Sequence, residues 1–305
     1  MRRLPGAQCG VALITAMLVV ALATTAAVAM ISRQQYDIRR TGNLLQAGQA
    51  SLYVQGIEDW AGQILRRDRE DNKVDHEGEE WATLLPPIPI DGGQLAGRIE
   101  ERQGRFNLND LIKGGGKDAG ALARFQRLLA ALQLSPELAT VVADWLDADI
   151  EANFPGGAED DSYAQGDLPY RTANAPFVSV SELRLLKGMQ EIVDPKEEVT
   201  VFDRLAPHVC ALPGRVPINV NTATAPVLMS LAEGLTAAEA ETLIEGRDDE
   251  GYPDTNAFLQ AEALAGRGGS DLKDLIGVTS DYFVVTSQVN FGRITVSYQS
   301  LIQRS

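Results

Sequence analysis

From Val11 to Ser32 no residue carries a charge. As an α-helix, Val11–Ile31 would be roughly 31 Å long, enough to cross a bilayer core. In lipid each backbone N–H and C=O must be paired inside the segment, so a helix is the form such a run takes. Whatever else the chain folds into, it has to accommodate this rod.

The ten residues before the run, MRRLPGAQCG, are short, basic at Arg2 and Arg3, and broken by Pro5 and Gly6. Three fates fit. The segment is a secretory signal cut after Ala29, which follows a small-x-small pattern, or it is an uncut signal anchor. Alternatively the basic leader is cut between Gly10 and Val11, so that the apolar helix stays in the mature chain. The third fits best, because the helical pattern does not stop at Ala29. No proline occurs from there to Pro86, and Tyr53, Ile57, Trp60 and Ile64 recur at helical spacing. The sequence predicts one rod from Val11 to about Arg66, about 84 Å long. Arg33, Arg39 and Arg40 follow the run while only Arg2 and Arg3 precede it, so charge counting does not set the orientation.

The chain has 305 residues, 45% of them hydrophobic, which suits one large or two modest domains. Its formal charge is −15, which repels phosphate backbones and argues against a nucleic-acid partner. Removing the leader takes away Cys9 and leaves Cys210 as a lone thiol, so no internal disulfide is expected. His76 and His208 are too far apart in sequence to suggest a zinc site.

Residues 67–80 (RDREDNKVDHEGEE) read as a solvated charged stretch, and Pro86, Pro87 and Pro89 then break any helix. Alternation of Leu95, Gly97 and Ile99 with Arg98 and Glu100 predicts a strand at about 94–102. Two more strands follow near the end, around Phe283–Val289 and Ile294–Tyr298, with Asn290, Phe291 and Gly292 as the turn. Strands flanking a long block predict an α+β fold in which one small domain is interrupted by a helical insert at 107–278. Within the insert, Asn107-Leu108-Asn109-Asp110-Leu111 resembles Asn219-Val220-Asn221-Thr222-Ala223. Each is followed by a helical run and a helix start, at Ser135-Pro136 and at Thr236. The second unit resembles the helix-hairpin-helix modules of DNA-binding proteins, but its hairpin, Gly234-Leu235-Thr236-Ala237, lacks the second glycine and lies among acids.

Seven carboxylates fall between Asp144 and Asp161, on either side of Pro155-Gly156-Gly157. They repel one another unless solvated or neutralised, and a hard oxygen-loving ion such as calcium suits them. The spacing is not that of an EF-hand: counting from Asp147, the sixth residue is Ala152 and the twelfth is Ala158. Acid–base catalysis by paired carboxylates lacks any accompanying pocket signature. No phosphate loop, dinucleotide fingerprint or nucleophile elbow occurs, so an enzyme is not expected.

The leader ending in Gly10, the apolar helix, the Asp-Trp-x-Asp-x-Asp segment with its later Gly-Gly-Ala-Glu-Asp, and the Asn-Val-Asn-Thr-Ala unit together resemble the minor pseudopilins of the type II secretion system, among them the protein K family. The resemblance covers essentially the whole chain. It implies a prepilin leader at 1–10, a transmembrane and pilin helix at 11–66, and a pilin-like antiparallel sheet built from 67–106 and 279–305. It also implies an inserted all-α domain, of helix-hairpin-helix or SAM-like type, at 107–278. The fifth mature residue, commonly Glu in pseudopilins, is Thr15 here, as implied for a subunit with no neighbour beyond it. Calcium would be held by Asp147, Asp149, Glu159, Asp160 and Asp161. The implied partners are the minor pseudopilins I and J, the major pseudopilin G, the prepilin peptidase and the inner membrane, with the bulk of the chain in the periplasm. The implied role is capping the tip of a short fibre that helps export folded proteins. The competing expectations are a signal-anchored periplasmic binding protein or enzyme and a DNA-uptake protein.

Overall fold

The computed structural model describes residues 9–84, 86–165, 169–267, 270–291 and 294–304. Leader residues 1–8, with Arg2 and Arg3, lie outside them, as does Gly292 of the expected turn.

A single helix, α1 (Cys9–Asp71), runs for 63 residues. It continues unbroken through Gly10–Val11 and ends five residues beyond the expected Arg66. Its apolar first part is bare: the most hydrophobic window has a mean hydropathy of 2.4 and none of it is buried. Thr15 hides its polarity within the helix, since its Oγ1 donates toward the carbonyls of Val11 (3.1 Å) and Ala12 (3.0 Å). The second part packs on protein through Ala50, Val54, Ile57, Ala61 and Leu65. This face is rotated from the expected stripe, of which only Ile57 is fully buried and Trp60 is 42% exposed. Ala50 and Ala61 explain the difference. Small side chains let the sheet approach the helix, while counting large apolar residues overlooks them.

That sheet has four antiparallel strands in the order β1-β2-β11-β12: β1 (Ile88–Ile90), β2 (Gly93–Glu101), β11 (Tyr282–Phe291) and β12 (Ile294–Gln303). The intervening strands, β3 to β10, belong to the insert. β1 was not anticipated. Pro89 sits in it because an edge strand need not donate from every nitrogen. Asn290 and Phe291, expected in the turn, instead pair with Thr295 and Ile294. The sheet lays Ile99, Phe283 and Val285 against Ile57, Ala61 and Leu65, with Trp81 edge-on to Phe283 at 5.3 Å. Gly97 leaves room for the helix; a Cβ there would stand 3.1 Å from Ile57.

Residues 67–80 are not the solvated stretch expected. The first five finish α1, and Asp75 and Glu79 are buried. Asp75 meets Arg304, 229 residues away in sequence, so the reason for its burial is not local.

The insert enters after β2 and leaves into β11. It is largely helical, yet short ladders interrupt it, so it is not wholly α. β3 (Phe106–Asn107) pairs in parallel with β8 (Val209–Cys210), and β9 (Ile218–Asn219) with β10 (Ile276–Gly277). Two small antiparallel pairs, β4–β5 (Ile112–Lys113, Gly116–Lys117) and β6–β7 (Ile192–Asp194, Val199–Thr200), complete them.

The two Asn-x-Asn segments open structurally equivalent units. In the first, β3 leads to α2 (Ala119–Ala131) and α3 (Leu138–Leu146); in the second, β9 leads to α6 (Ala225–Leu231) and α7 (Ala237–Glu245). Both helix pairs turn through a left-handed residue followed by a buried leucine, Gln133 (φ 58°) before Leu134 and Gly234 (φ 74°) before Leu235. The second Asn of each segment clamps the backbone of a distant aromatic residue from both sides. Asn109 accepts from Phe177 N (2.8 Å) and donates to Phe177 O (3.0 Å); Asn221 accepts from Tyr252 N (2.8 Å) and donates to Tyr252 O (3.1 Å). Two residues past each aromatic stands an N-cap, Ser179 and Asp254. Each unit then closes through a helix, α5 (Val201–Leu205) or α9 (Ser270–Leu275), and a strand parallel to its first. α8 (Thr255–Leu259) follows Asp254. The units differ most between their second helix and the clamped aromatic. There the second has a short turn, 246–251, and the first has the long acidic loop.

Candidate functional site

The acidic loop leaves the buried C-terminal end of α3. Asp144, on its last turn, is fully buried and completely satisfied. It accepts from Lys117 Nζ (2.7 Å), Asn153 N (3.0 Å), Asn153 Nδ2 (2.8 Å) and Ala158 N (3.1 Å). A charged acceptor with four donors is a strong local anchor. It folds 153–158 back over α3 and so carries Glu159 toward Asp147. A Cβ on Gly157 would lie 2.2 Å from the Asp144 carboxylate, so only glycine fits this return.

Asp147, Asp149 and Glu159 then present one oxygen each, all within 4.8 Å of one another. Asp147 and Glu159 are buried. Both Asp147 oxygens and Glu159 Oε1 lack a hydrogen-bond partner. Lys117 Nζ stands 3.2 Å from Asp147 Oδ2, close enough to attract but outside hydrogen-bond geometry. Glu159 Oε2 accepts from Thr172 Oγ1 at 3.0 Å.

The electrostatics follow from this crowding. Burial, reinforced by Asp144, Asp147 and Asp149, pushes the Glu159 carboxyl up to about 7, against the pull of Thr172. Burial also raises Asp147, against the pull of Lys117. Burial alone would lower Lys117, but its hydrogen bond to Asp144 and the negative charges of Asp144 and Asp147 outweigh it, and the ammonium is raised. One lysine faces more negative charge than it can neutralise. The donors are all hard oxygens, and two of the three clustered carboxylates carry buried oxygens without a hydrogen-bond partner, which fits a calcium-type ion.

Of the five expected ligands, the structure brings Asp147, Asp149 and Glu159 together. Asp160 lies beside them, on the first turn of α4 (Asp160–Tyr163), with Oδ1 accepting from Thr172 N (3.0 Å) and Thr172 Oγ1 (2.9 Å). Asp161 is exposed on the same turn and is not in the group. Asp144, Lys117 and Thr172 organise the site and were not singled out from sequence. Asp144 alone carried a signal, as an acid on an otherwise apolar helix face. An aromatic wall backs the loop, with Tyr163 edge-on to Trp145 at 5.6 Å and stacked on Tyr170 at 5.3 Å.

In the second unit's hairpin, Glu233 directly precedes Gly234 in sequence, and Glu239, on the first turn of α7, is engaged by Arg267 at 2.9 Å.

Comparison with known proteins draws these features together. The family description "Type II secretion system (T2SS), protein K" matches residues 104–214 in its first-domain form and residues 218–279 in a second form. These limits coincide with the two structural units. A type II secretion system protein K of Pseudomonas aeruginosa is 39% identical over 308 residues, covering 97% of this chain and 89% of the relative. One from Pectobacterium carotovorum subsp. carotovorum is 32% identical, covering 98% and 93%. A chain in the crystal structure of the GspK-GspI-GspJ complex from the enterotoxigenic Escherichia coli type 2 secretion system superposes with a TM-score of 0.74 at 28% identity, covering 87% of this chain and 94% of that one.

Proposed function

The chain belongs to the protein K family of the type II secretion system, a minor pseudopilin, and from that premise we propose that it caps the tip of the pseudopilus. The observation that carries this reading is the placement of the insert. It emerges between the two central strands of the sheet that packs on α1, so one rod bears a bulky block that ordinary stacking of identical rods could not accommodate. Val11–Ile31 lies in the inner membrane after cleavage between Gly10 and Val11 by the prepilin peptidase, with the remainder in the periplasm. Thr15 suits the tip position, because a hydroxyl bonded to its own helix needs no partner from a subunit beyond. The solved relative assembles with GspI and GspJ, and we infer the corresponding I and J subunits as partners here, above a shaft of the major pseudopilin G. The role is mechanical rather than catalytic.

The test is to label the protein in fibres assembled with its pseudopilin partners. Electron microscopy should find one label at one end of each fibre. A variant with residues 104–279 replaced by a short linker should spread along the shaft. Wild-type label spread along the shaft would refute capping.

We propose further that Asp147, Asp149 and Glu159 hold structural calcium, with Asp160 the adjacent acid. The unpartnered buried oxygens of Asp147 and Glu159 support this reading. When bound, the ion would neutralise the carboxylates and pin a loop that buries little apolar surface of its own. Calcium should raise the melting temperature of chelator-treated protein; no shift in the wild type would remove the assignment.

A further inference from the structure

We propose a second cation site, at the joint between rod and insert, in which Asp68, Asp75 and Glu79 hold a divalent ion of the calcium class. It is separate from the acidic loop and rests on different residues. Asp68 lies on the last turn of α1, and Asp75 and Glu79 on the stretch that follows. The three carboxylates bring one oxygen each within 4.8 Å of one another. An ion with oxygen ligands at about 2.3–2.6 Å spans that separation.

Charge balance is the first argument. Arg304 is the guanidinium bound to this group, donating from Nη1 to Asp68 Oδ2 (2.7 Å) and from Nη2 to Asp75 Oδ2 (2.6 Å). One positive charge faces three negative ones, and its own side chain is 3% exposed. Removing unbalanced charge from water is costly, and a divalent ion would close the deficit.

The second argument is an orphaned atom. Asp75 is 2% exposed, and its Oδ2 is fully used by Arg304 and by Ser280 N at 2.6 Å. Its Oδ1 has no hydrogen-bond partner. Buried carboxylate oxygens without partners are rare and call for an explanation such as an ion. Glu79 is held in place for the same task. Its Oε2 is filled by Trp81 Nε1 (2.6 Å) and His76 N (3.0 Å), while its Oε1 accepts from Asn72 Nδ2 (2.5 Å) and keeps a lone pair.

Position gives the site its purpose. The backbone of Asp75 donates to Val278 O (2.8 Å) and accepts from Asn219 Nδ2 (3.0 Å), which tie it to the second helical unit. Arg304 ties it to the end of β12, and Asp68 to the rod. An ion here would fasten the insert to the rod and fix the angle between them.

Trp81, one hydrogen bond from Glu79, supplies the assay, because terbium(III) occupies calcium sites and luminesces when a nearby tryptophan is excited. The full-length protein in detergent, carrying Asp147→Asn and Glu159→Gln to disable the loop site and its neighbour Trp145, is titrated with terbium. Sensitised emission should saturate at one equivalent, fall when calcium is added, and disappear on Trp81→Phe or Asp68→Asn. Absence of emission, or emission that Trp81→Phe leaves intact, would overturn the proposal and leave the carboxylates sharing protons. Should the double variant unfold, Trp81→Phe in the otherwise native chain decides the matter. The terbium signal must drop there while a second, Trp145-sensitised component remains; an unchanged signal overturns the site.

Discussion

Replacing Asn221 by Ala should strike the second helical unit at its clamp. Asn221 is 3% exposed and Tyr252 is 8% exposed, so water cannot take over the lost bonds. The substitution orphans Tyr252 N and Tyr252 O, which Asn221 engages at 2.8 and 3.1 Å. Each buried unpaired group costs about 1–3 kcal/mol, so the total is about 2–6 kcal/mol. Shared over the whole insert of about 170 residues, at about 2–4 °C per kcal/mol, that is a fall of about 4–24 °C in melting temperature. Gly251, at φ +73°, leaves room for the clamp, since a Cβ there would stand 2.8 Å from the Asn221 amide carbon. The assay is thermal unfolding of the detergent-solubilised chain, followed by tryptophan fluorescence. Asn109→Ala in the first unit should cost a comparable amount, because Asn109 makes the same pair of bonds to Phe177 and one more to Leu212 O at 2.9 Å. The two clamps share no partner, so the double variant should be additive within about 0.5 kcal/mol. A cost below about 1 kcal/mol for both variants would refute the idea that these motifs hold the units together.

Other outcomes follow from the same geometry. Glu159 has a folded pKa of about 7 against an ordinary 4.5, so its protonated form is favoured in the fold. Without calcium, the stability it contributes is complete below pH 4.5 and is lost as pH rises through 7, by on the order of 3 kcal/mol. Calcium replaces the proton, so melting scans should show its stabilisation growing from pH 5 to about pH 8; a pH-independent calcium effect would contradict this. Gln133 is an exposed residue in the left-handed region where the second unit has Gly234. Gln133→Gly should stabilise by about 0.5–1 kcal/mol in denaturant titration, and Gly234→Ala should destabilise by about 1 kcal/mol. At Gly104 a Cβ would stand 2.7 Å from the Thr222 carbonyl carbon, so Gly104→Ala should cost about 2–3 kcal/mol by the same measurement.

How much of this was legible in the sequence depends on how local the cause is. The rod was readable because an uncharged run and helical spacing are properties of consecutive residues. Its packing face was misjudged because Ala50 and Ala61 matter by being small, which only the opposing sheet reveals. β1 was missed because prolines usually deny a strand, and its edge position is a tertiary fact. Asp75 reads as solvated because its cation, Arg304, comes from the far end of the chain. In the loop, composition marks seven carboxylates and the family resemblance selects Asp147, Asp149, Glu159, Asp160 and Asp161, but neither separates Asp161 from the rest. That separation depends on the Asp144 anchor, which decides which carboxylates fold inward. The kinship of the two units showed faintly as a shared Asn-x-Asn. Its force comes from the clamps, whose partners Phe177 and Tyr252 lie 68 and 31 residues away.

The account depends on the membrane helix persisting in the assembled protein. Mass spectrometry of the N-terminal peptide from protein purified out of the inner membrane measures this directly. The predicted result is a chain beginning at Val11, with the apolar stretch to Ile31 intact. A chain beginning at Met30 would contradict it, because a subunit shorn of that stretch could neither stay in the membrane nor pack at the head of a fibre.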